Sequence, residues 1–284
     1  MISKLRGEVP IGFLCQYFKV SRSGFYSSQK EELPARQQKL EKRKQIIKFT
    51  FEQFKGRYGS PRLAIHLKTI GESISENTIA KVMKEQGLFA RKKRKFKVVT
   101  LKEETRKDAH DRHYLIEDQK ELKINQVWAG DITYIPVNNK FLYLSVVMDI
   151  KRRKILGWSL DEKLSSEGVI KSFESACRLE GKVANTFHSD QGVQYKSLSF
   201  NKLLIKEGVQ GSMSRRGNCY DNAFVETFFK TLKSELIWNQ DFRNEEHLRK
   251  EIFEFIEVWY NRKRIHTSLD NKSPLEYELG IKAA

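Results

Sequence analysis

Cysteine is scarce in this chain, at three of 284 residues, and no run of about 18 apolar residues occurs anywhere in it. Cys15, Cys177 and Cys219 are far apart and odd in number. That excludes a disulfide framework, fits a reducing compartment, and leaves no CxxC pair on which a four-ligand zinc site would be built. Without a long apolar run, nothing in the chain is predicted to span a membrane. The start, Met1-Ile2-Ser3-Lys4-Leu5-Arg6, does not lead into an apolar segment with a small-residue cleavage site. No secretion signal is therefore expected, and the cytoplasm is the expected compartment. Internal repeats and low-complexity tracts are lacking as well. The 39% of hydrophobic residues is enough to bury a core, which excludes wholesale disorder.

Acidic residues are outnumbered 36 to 53 by Lys and Arg, for a net charge of +17. The excess is uneven. Up to residue 124 there are 29 basic and 15 acidic residues; beyond it, 24 and 21. A basic module is thus joined to a nearly balanced one. Basic segments bind polyanions by releasing condensed counterions, so DNA is the expected partner.

Residues 9–29 read as two short helices, with Ile11, Leu14, Cys15 and Phe18 at helical spacing. Residues 35–55 form a charged amphipathic stretch with Leu40, Ile46, Ile47, Phe51 and Phe54 on its apolar side. The turn signal Arg57-Tyr58-Gly59-Ser60-Pro61-Arg62 opens a helix over about 62–70, interrupted by Gly71. Ser75 caps a second helix with Ile79, Val82 and Met83 inward and Gly87 at its close. Such a pair predicts a helix-turn-helix, with Asn77 and Lys81 among the residues that would face a major groove; a short helical hairpin would look similar. Arg91, Lys92, Lys93, Arg94 and Lys95 follow as a basic arm suited to phosphates.

From Val127 the pattern turns to β-branched and aromatic residues. Segments 127–137, 140–150 and 154–160 predict three consecutive antiparallel strands. A helix over about 166–180, a strand at 186–190, a helix over 197–207, a strand at 209–214, a long helix over 222–236 and a final helix over 244–261 complete the order. The fold class is α/β, a mixed five-stranded sheet flanked by helices, preceded by a helical, helix-turn-helix-like basic region. The division expected is a helical region at 1–55, the helix-turn-helix-like module with its arm at 56–98, a linker at 99–124 and the core with its C-terminal helix at 125–284.

Three acids stand out within that core. Asp131 lies in an apolar strand, where a buried carboxylate needs a cation or hydrogen-bond partner. Asp190 ends the fourth strand before Gln191-Gly192, where sites in open α/β sheets tend to sit. Glu226 is in the first turns of the long helix. Together they supply the all-oxygen coordination that Mg²⁺ or Mn²⁺ prefers, suited to a two-metal phosphoryl transfer. Lys233, seven residues on, falls on the same helix face as Glu226 and would touch a phosphate. Arg215 and Arg216, in the loop before that helix, are further DNA-contact candidates. Asp149 is a rival ligand or the support of the turn at 151–153; Asp221 reads as an N-cap. His188 is on the same strand face as Asp190, either orienting the site or making a structural hydrogen bond. Trp128, Tyr134, Phe141 and Tyr143 read as sheet core rather than as base-stacking platforms.

The segments Trp128-Ala129-Gly130-Asp131-Ile132-Thr133-Tyr134, His188-Ser189-Asp190-Gln191-Gly192 and Asn222-Ala223-Phe224-Val225-Glu226 resemble the three catalytic blocks of DDE transposases with a retroviral-integrase-like core. Thirty-five residues lie between Asp190 and Glu226, and Lys233 stands seven beyond the glutamate, both in keeping with that family. Tyr260-Asn261-Arg262-Lys263-Arg264-Ile265-His266-Thr267-Ser268-Leu269 and Tyr58-Gly59-Ser60-Pro61-Arg62 resemble it too, so the likeness spans nearly the whole chain. It implies an RNase H-like core, Mg²⁺ dependence, and cleavage at the terminal repeats of an insertion sequence that leaves a 3′-hydroxyl to attack target DNA. It implies also a homo-oligomeric synaptic complex and fusion, by programmed frameshifting, to the product of an upstream frame. The zinc module of retroviral integrases has no counterpart here, so zinc is not expected. A DNA-binding regulator with an inert core and a nuclease with the same core are the competing classes. The three intact acids speak against the first, and strand joining separates the second.

Overall fold

The computed structural model describes residues 7, 9–28, 34–91, 122–138, 140–214 and 223–283. It comprises two compact units, residues 1–90 and 91–284.

In the first unit, α1 (Ile11–Tyr17), α2 (Arg22–Ser28), α3 (Ala35–Gln53), α4 (Ser60–Thr69) and α5 (Glu76–Glu85) follow the expected order. Ile47, Phe51 and Phe54 of α3 and its C-terminal turn are buried, as are Tyr58, Leu63 and Leu67 and, from α5, Ile79, Val82 and Met83. Leu40, expected on the inner side of α3, is 39% exposed. Pro61 occupies the first turn of α4, where its missing N–H costs nothing. The Ser75 Oγ accepts from the backbone N–H of Thr78 and so caps α5. Gly71 and Gly87 close α4 and α5 in the left-handed region that favours glycine.

In the second unit, β1 (Val127–Val137), β2 (Lys140–Asp149) and β3 (Lys154–Asp161) form an antiparallel meander. After α6 (Ser166–Glu180), β4 (Thr186–Ser189) returns parallel to β1; after α7 (Leu198–Lys206), β5 (Gln210–Met213) lies parallel to β4. The sheet order is β3-β2-β1-β4-β5. Trp128, Val147 and Phe187 from the sheet pack with Val169 and Phe173 of α6 and Phe200 and Leu204 of α7 in one continuous core. α6 lies so close to β3 that a Cβ on Gly157 would come within 2.1 Å of the Ser172 carbonyl oxygen. Helix α8 (Ala223–Glu235) packs against β1.

The last expected helix changes its hydrogen bonding partway. It runs as α9 (Glu245–Phe253) and continues as a π-helix over Glu254–Tyr260 before α10 (Pro274–Ala283) closes the chain. The wider π turns bury Phe255, Ile256, Trp259 and Tyr260 together. Among the described residues no helix is long and apolar enough to cross a membrane.

Candidate active site

The parallel pairing of β1 with β4 ends at Ala129 and His188, so beyond this point β1 is paired only with β2. Asp131 lies two residues past that end, opposite Val146 of β2, and Asp190 directly follows β4. Both acids therefore open onto the notch where the strands part. Asp131 and Asp190 line a cleft of ≈ 190 Å³ with Thr133, Tyr134, Tyr143 and Tyr195. Each is held by local backbone: Asp131 Oδ1 accepts from the N–H of Ile132 at 2.8 Å, and Asp190 Oδ1 from that of Gly192 at 2.9 Å. Glu226 enters from the first turn of α8, where Lys230 one turn later donates to its Oε2 at 3.4 Å.

Burial pushes the Asp131 carboxyl up to about 7, and the negative charges of Asp190 and Glu226 push in the same direction; the Ile132 N–H and the Lys233 ammonium oppose them. Asp131 is thus close enough to both other acids to feel each of them. Among the described residues, no three His, Cys, Asp or Glu side chains stand together in a ligating group. The donor set nevertheless fits a hard divalent cation: carboxylate oxygens only, one of them made costly to ionise by burial and by its acidic neighbours.

Lys233 is half-buried, its ammonium 4.9 Å from the centre of the Tyr134 ring; burial lowers its pKa, against the pull of Asp131. Its charge acts on Asp131 in turn. Asn77 and Lys81 are exposed on α5. Arg91 donates to the backbone carbonyl oxygen of Glu235. Lys92, Lys93, Arg94, Lys95, Arg215, Arg216 and Asp221 lie outside the described residues, as does the linker from residue 99 to 121.

Several readings left open by the sequence are resolved by geometry. Asp149 is fully buried and accepts from the backbone N–H groups of Asn125 at 2.7 Å and Arg152 at 2.8 Å. It supports the β2–β3 turn and joins the buried pairs of Arg152 with Glu180 and Glu278, away from any ligand role. His188 makes structural hydrogen bonds, with Nδ1 to Ser212 Oγ at 3.0 Å and Nε2 to Ser214 Oγ at 3.1 Å, which tie β4 to β5 and to the segment leading to α8. Of the four aromatics expected in the sheet core, Trp128 is buried and Tyr143 partly so, but Tyr134 and Phe141 are 59% and 55% exposed.

Other residues of the site carry no signal of their own in the sequence. Tyr195 is buried against Phe187 and Phe200 while lining the cleft; burial, then the charges of Asp131 and Asp190, hold its hydroxyl well above the ordinary tyrosine range and keep it a proton donor. At the end of α8, buried Glu235 accepts from the Arg264 guanidinium at 2.8 Å and from Trp259 Nε1 at 2.9 Å. Asn261 pairs through its amide with both backbone groups of Ile155 on β3, at 2.9 Å each. The Tyr260–Leu269 block therefore braces α8 and the sheet.

Comparison with known proteins adds three findings. The chain matches an integrase core domain family over residues 121–219, a second integrase core domain family over 207–274, and an HTH-like domain family over 36–96. It is 34% identical over 284 residues to transposase InsF for insertion sequence IS3A of Escherichia coli (strain K12), covering 98% of this chain and 96% of that protein. It is 41% identical over 235 residues to the transposase for insertion sequence element IS904 of Lactococcus lactis subsp. lactis (strain IL1403), covering 82% and 91%. Among solved structures, the HTLV-2 integrase catalytic core domain in complex with magnesium superposes with a TM-score of 0.43 at 18% identity, over 55% of this chain and 97% of that one.

Proposed function

The chain belongs to the insertion-sequence transposases built on an integrase core domain, and from that premise we propose that Asp131, Asp190 and Glu226 are the carboxylates at which it cuts and joins DNA. As a transposase it is a polynucleotidyl transferase, acting on DNA strands at the ends of an insertion sequence. The observation that supports the residue assignment is the cleft that Asp131 and Asp190 share where β1 and β4 part, with Glu226 near enough on α8 for its charge to act on Asp131.

We assign the three carboxylates to Mg²⁺, with Mn²⁺ as a substitute, which when bound would supply Lewis-acid activation and charge neutralisation for an in-line phosphoryl transfer. The chain's own groups do the rest. The Ile132 and Gly192 N–H groups hold one oxygen of Asp131 and of Asp190, leaving the other oxygen of each to the cleft. The Lys233 ammonium, beside Asp131, is the counter-charge for a phosphate next to the scissile bond. The protonated Tyr195 hydroxyl is a donor at the cleft wall.

Residues 56–98 serve as the DNA-reading module in this scheme, with Asn77 and Lys81 toward bases and Lys92, Lys93, Arg94 and Lys95 toward phosphates. Arg215 and Arg216 are assigned to DNA in the same scheme, and residues 125–284 to the catalytic core. The partners are the element's terminal repeats, the target DNA and further copies of the chain in a synaptic complex; the working form is a frameshift fusion with the upstream-frame product, acting in the cytoplasm at the nucleoid.

The test is strand transfer on labelled element-end DNA taken from the flanking sequence, with Mg²⁺ or EDTA, using the upstream-frame fusion. Metal-dependent joining that Asp190→Asn lacks, with DNA affinity retained, is the expected result. Joining by Asp190→Asn would remove that residue from the site, and cutting without joining would make the protein a nuclease.

A further inference from the structure

Where β4 ends, β1 continues with β2 alone from Gly130 to Val137, and this two-stranded extension carries Tyr134 opposite Tyr143 and Phe141 opposite Pro136. The Tyr134 and Phe141 rings meet edge to face, with centroids 5.5 Å apart at 90°. Both are more than half exposed, although two aromatic side chains on one sheet face ordinarily gain by being covered. Tyr134 and Tyr143 form part of the wall of the cleft that holds Asp131 and Asp190. Tyr134 is three positions beyond Asp131 on β1, a span of about 10 Å.

A cation stands on this surface: the Lys233 ammonium lies 4.9 Å from the centre of the Tyr134 ring and feels the charge of Asp131. An aromatic face with a cation beside it is how proteins take a single nucleic-acid strand: the base stacks and its phosphate meets the charge. A duplex hides the faces of its bases, so only an unstacked one fits.

We propose that Tyr134 and Phe141 form a stacking platform for an unpaired nucleobase of the strand whose phosphate lies at the carboxylates. The platform rests on the reading of that cleft as the site of DNA cutting. It holds the strand by a base while Lys233 holds the adjoining phosphate, so the scissile bond is presented by two contacts made by one nucleotide unit. Stacking on a flat ring tolerates any base, so the contact positions the strand without reading its sequence.

The test is photocrosslinking of the full chain, fused to its upstream frame, to element-end DNA carrying 5-iodouracil at one position at a time around the scissile phosphate. A crosslink mapped by mass spectrometry to Tyr134 or Phe141, confined to one or two adjacent positions, is expected. Tyr134→Ala should abolish it and lower kcat/KM for cleavage by about five- to 100-fold, the loss of one stacked base, and Tyr134→Phe should restore both. Both side chains are exposed, and an unchanged melting temperature verifies that the variants fold. No crosslink at any position, with Tyr134→Ala and Phe141→Ala cleaving as the unsubstituted chain does, overturns the platform. Absence of the crosslink together with an oligomer that Tyr134→Ala dissociates in light scattering overturns it as well, and makes the patch an interface between copies. Asp190→Asn run in parallel separates the two claims: if it still joins DNA, the reading of the cleft has failed; if it is inactive while the platform variants are not, only the platform has.

Discussion

Gly130, the residue before Asp131, faces the core: a Cβ there would stand 2.5 Å from Phe187 Cζ and 3.2 Å from the Tyr195 hydroxyl oxygen. Gly130→Ala must displace an aromatic ring packed against three others, which costs about 1–3 kcal/mol as overpacking. A matching fall in the urea midpoint is expected; an unchanged midpoint would mean that Phe187 is free to give way. A larger cost belongs to Glu235, whose carboxylate is the buried partner of Arg264. Glu235→Ala leaves that guanidinium buried without its charge partner and should cost about 3–5 kcal/mol; adding Arg264→Met should recover part of the loss, because no charge then remains buried. Glu235 draws no attention in the sequence, and Arg264 does so only as part of the Tyr260–Leu269 block. Arg264 lies 29 positions from Glu235, and Arg91, read from its run of basic neighbours as a DNA contact, meets the Glu235 carbonyl across 144 positions. Such pairings are set by tertiary structure and leave no trace in local spacing. The acids are different: Asp131, Asp190 and Glu226 were picked out as a set, by their places on a strand, a strand end and a helix and by their spacing, and the fold puts Asp131 and Asp190 in one cleft.

Elements were legible wherever an apolar stripe has a clean period and a marked end. α5 starts after Ser75 as its N-cap pattern requires, and Ser75→Ala should cost about 1 kcal/mol of stability, measured by denaturant titration. The π segment at Glu254–Tyr260 was not legible, since a change in hydrogen-bond register leaves the apolar pattern of a helix almost intact. The exposure of Tyr134 and Phe141 was missed for a related reason. A strand residue's composition tells which face it takes, but not how far along that face the packed helices reach. Asn261 stands between these cases, recognisable as part of a block and silent about its task. Asn261→Ala removes the partner of both the N–H and the C=O of Ile155, each worth about 1–3 kcal/mol when left buried and unpaired. Native-state hydrogen exchange should show the Ile155 amide losing protection in that variant; retained protection would mean that water takes the place of the side chain.

For the molecule as a whole, charge and metal act on different parts. The net charge of +17 is concentrated before residue 125, so DNA affinity should fall steeply with salt. Replacing Lys92, Lys93, Arg94 and Lys95 with alanine should lower the slope of log K against log salt by about 0.9 for each phosphate that is no longer neutralised. An unchanged slope would show that the arm neutralises none. Mg²⁺ should act on the core, raising the melting temperature with EDTA reversing it, since a cation relieves the mutual repulsion at Asp131; at ten times Kd the gain is about 1.4 kcal/mol. Asp131→Asn should remove the gain, and a melting temperature indifferent to Mg²⁺ in the unsubstituted chain would argue against a cation at these acids. The Asn261 amide has one more consequence, at the level of assembly. Together with Arg249, which donates to the Leu160 carbonyl, it occupies backbone groups of β3, the outermost strand on that flank of the sheet. Side chains thus take some of the outward backbone groups that a neighbour's strand would need to extend the sheet. In the proposed synaptic complex, contact between copies on that flank would fall to side chains rather than to a shared sheet.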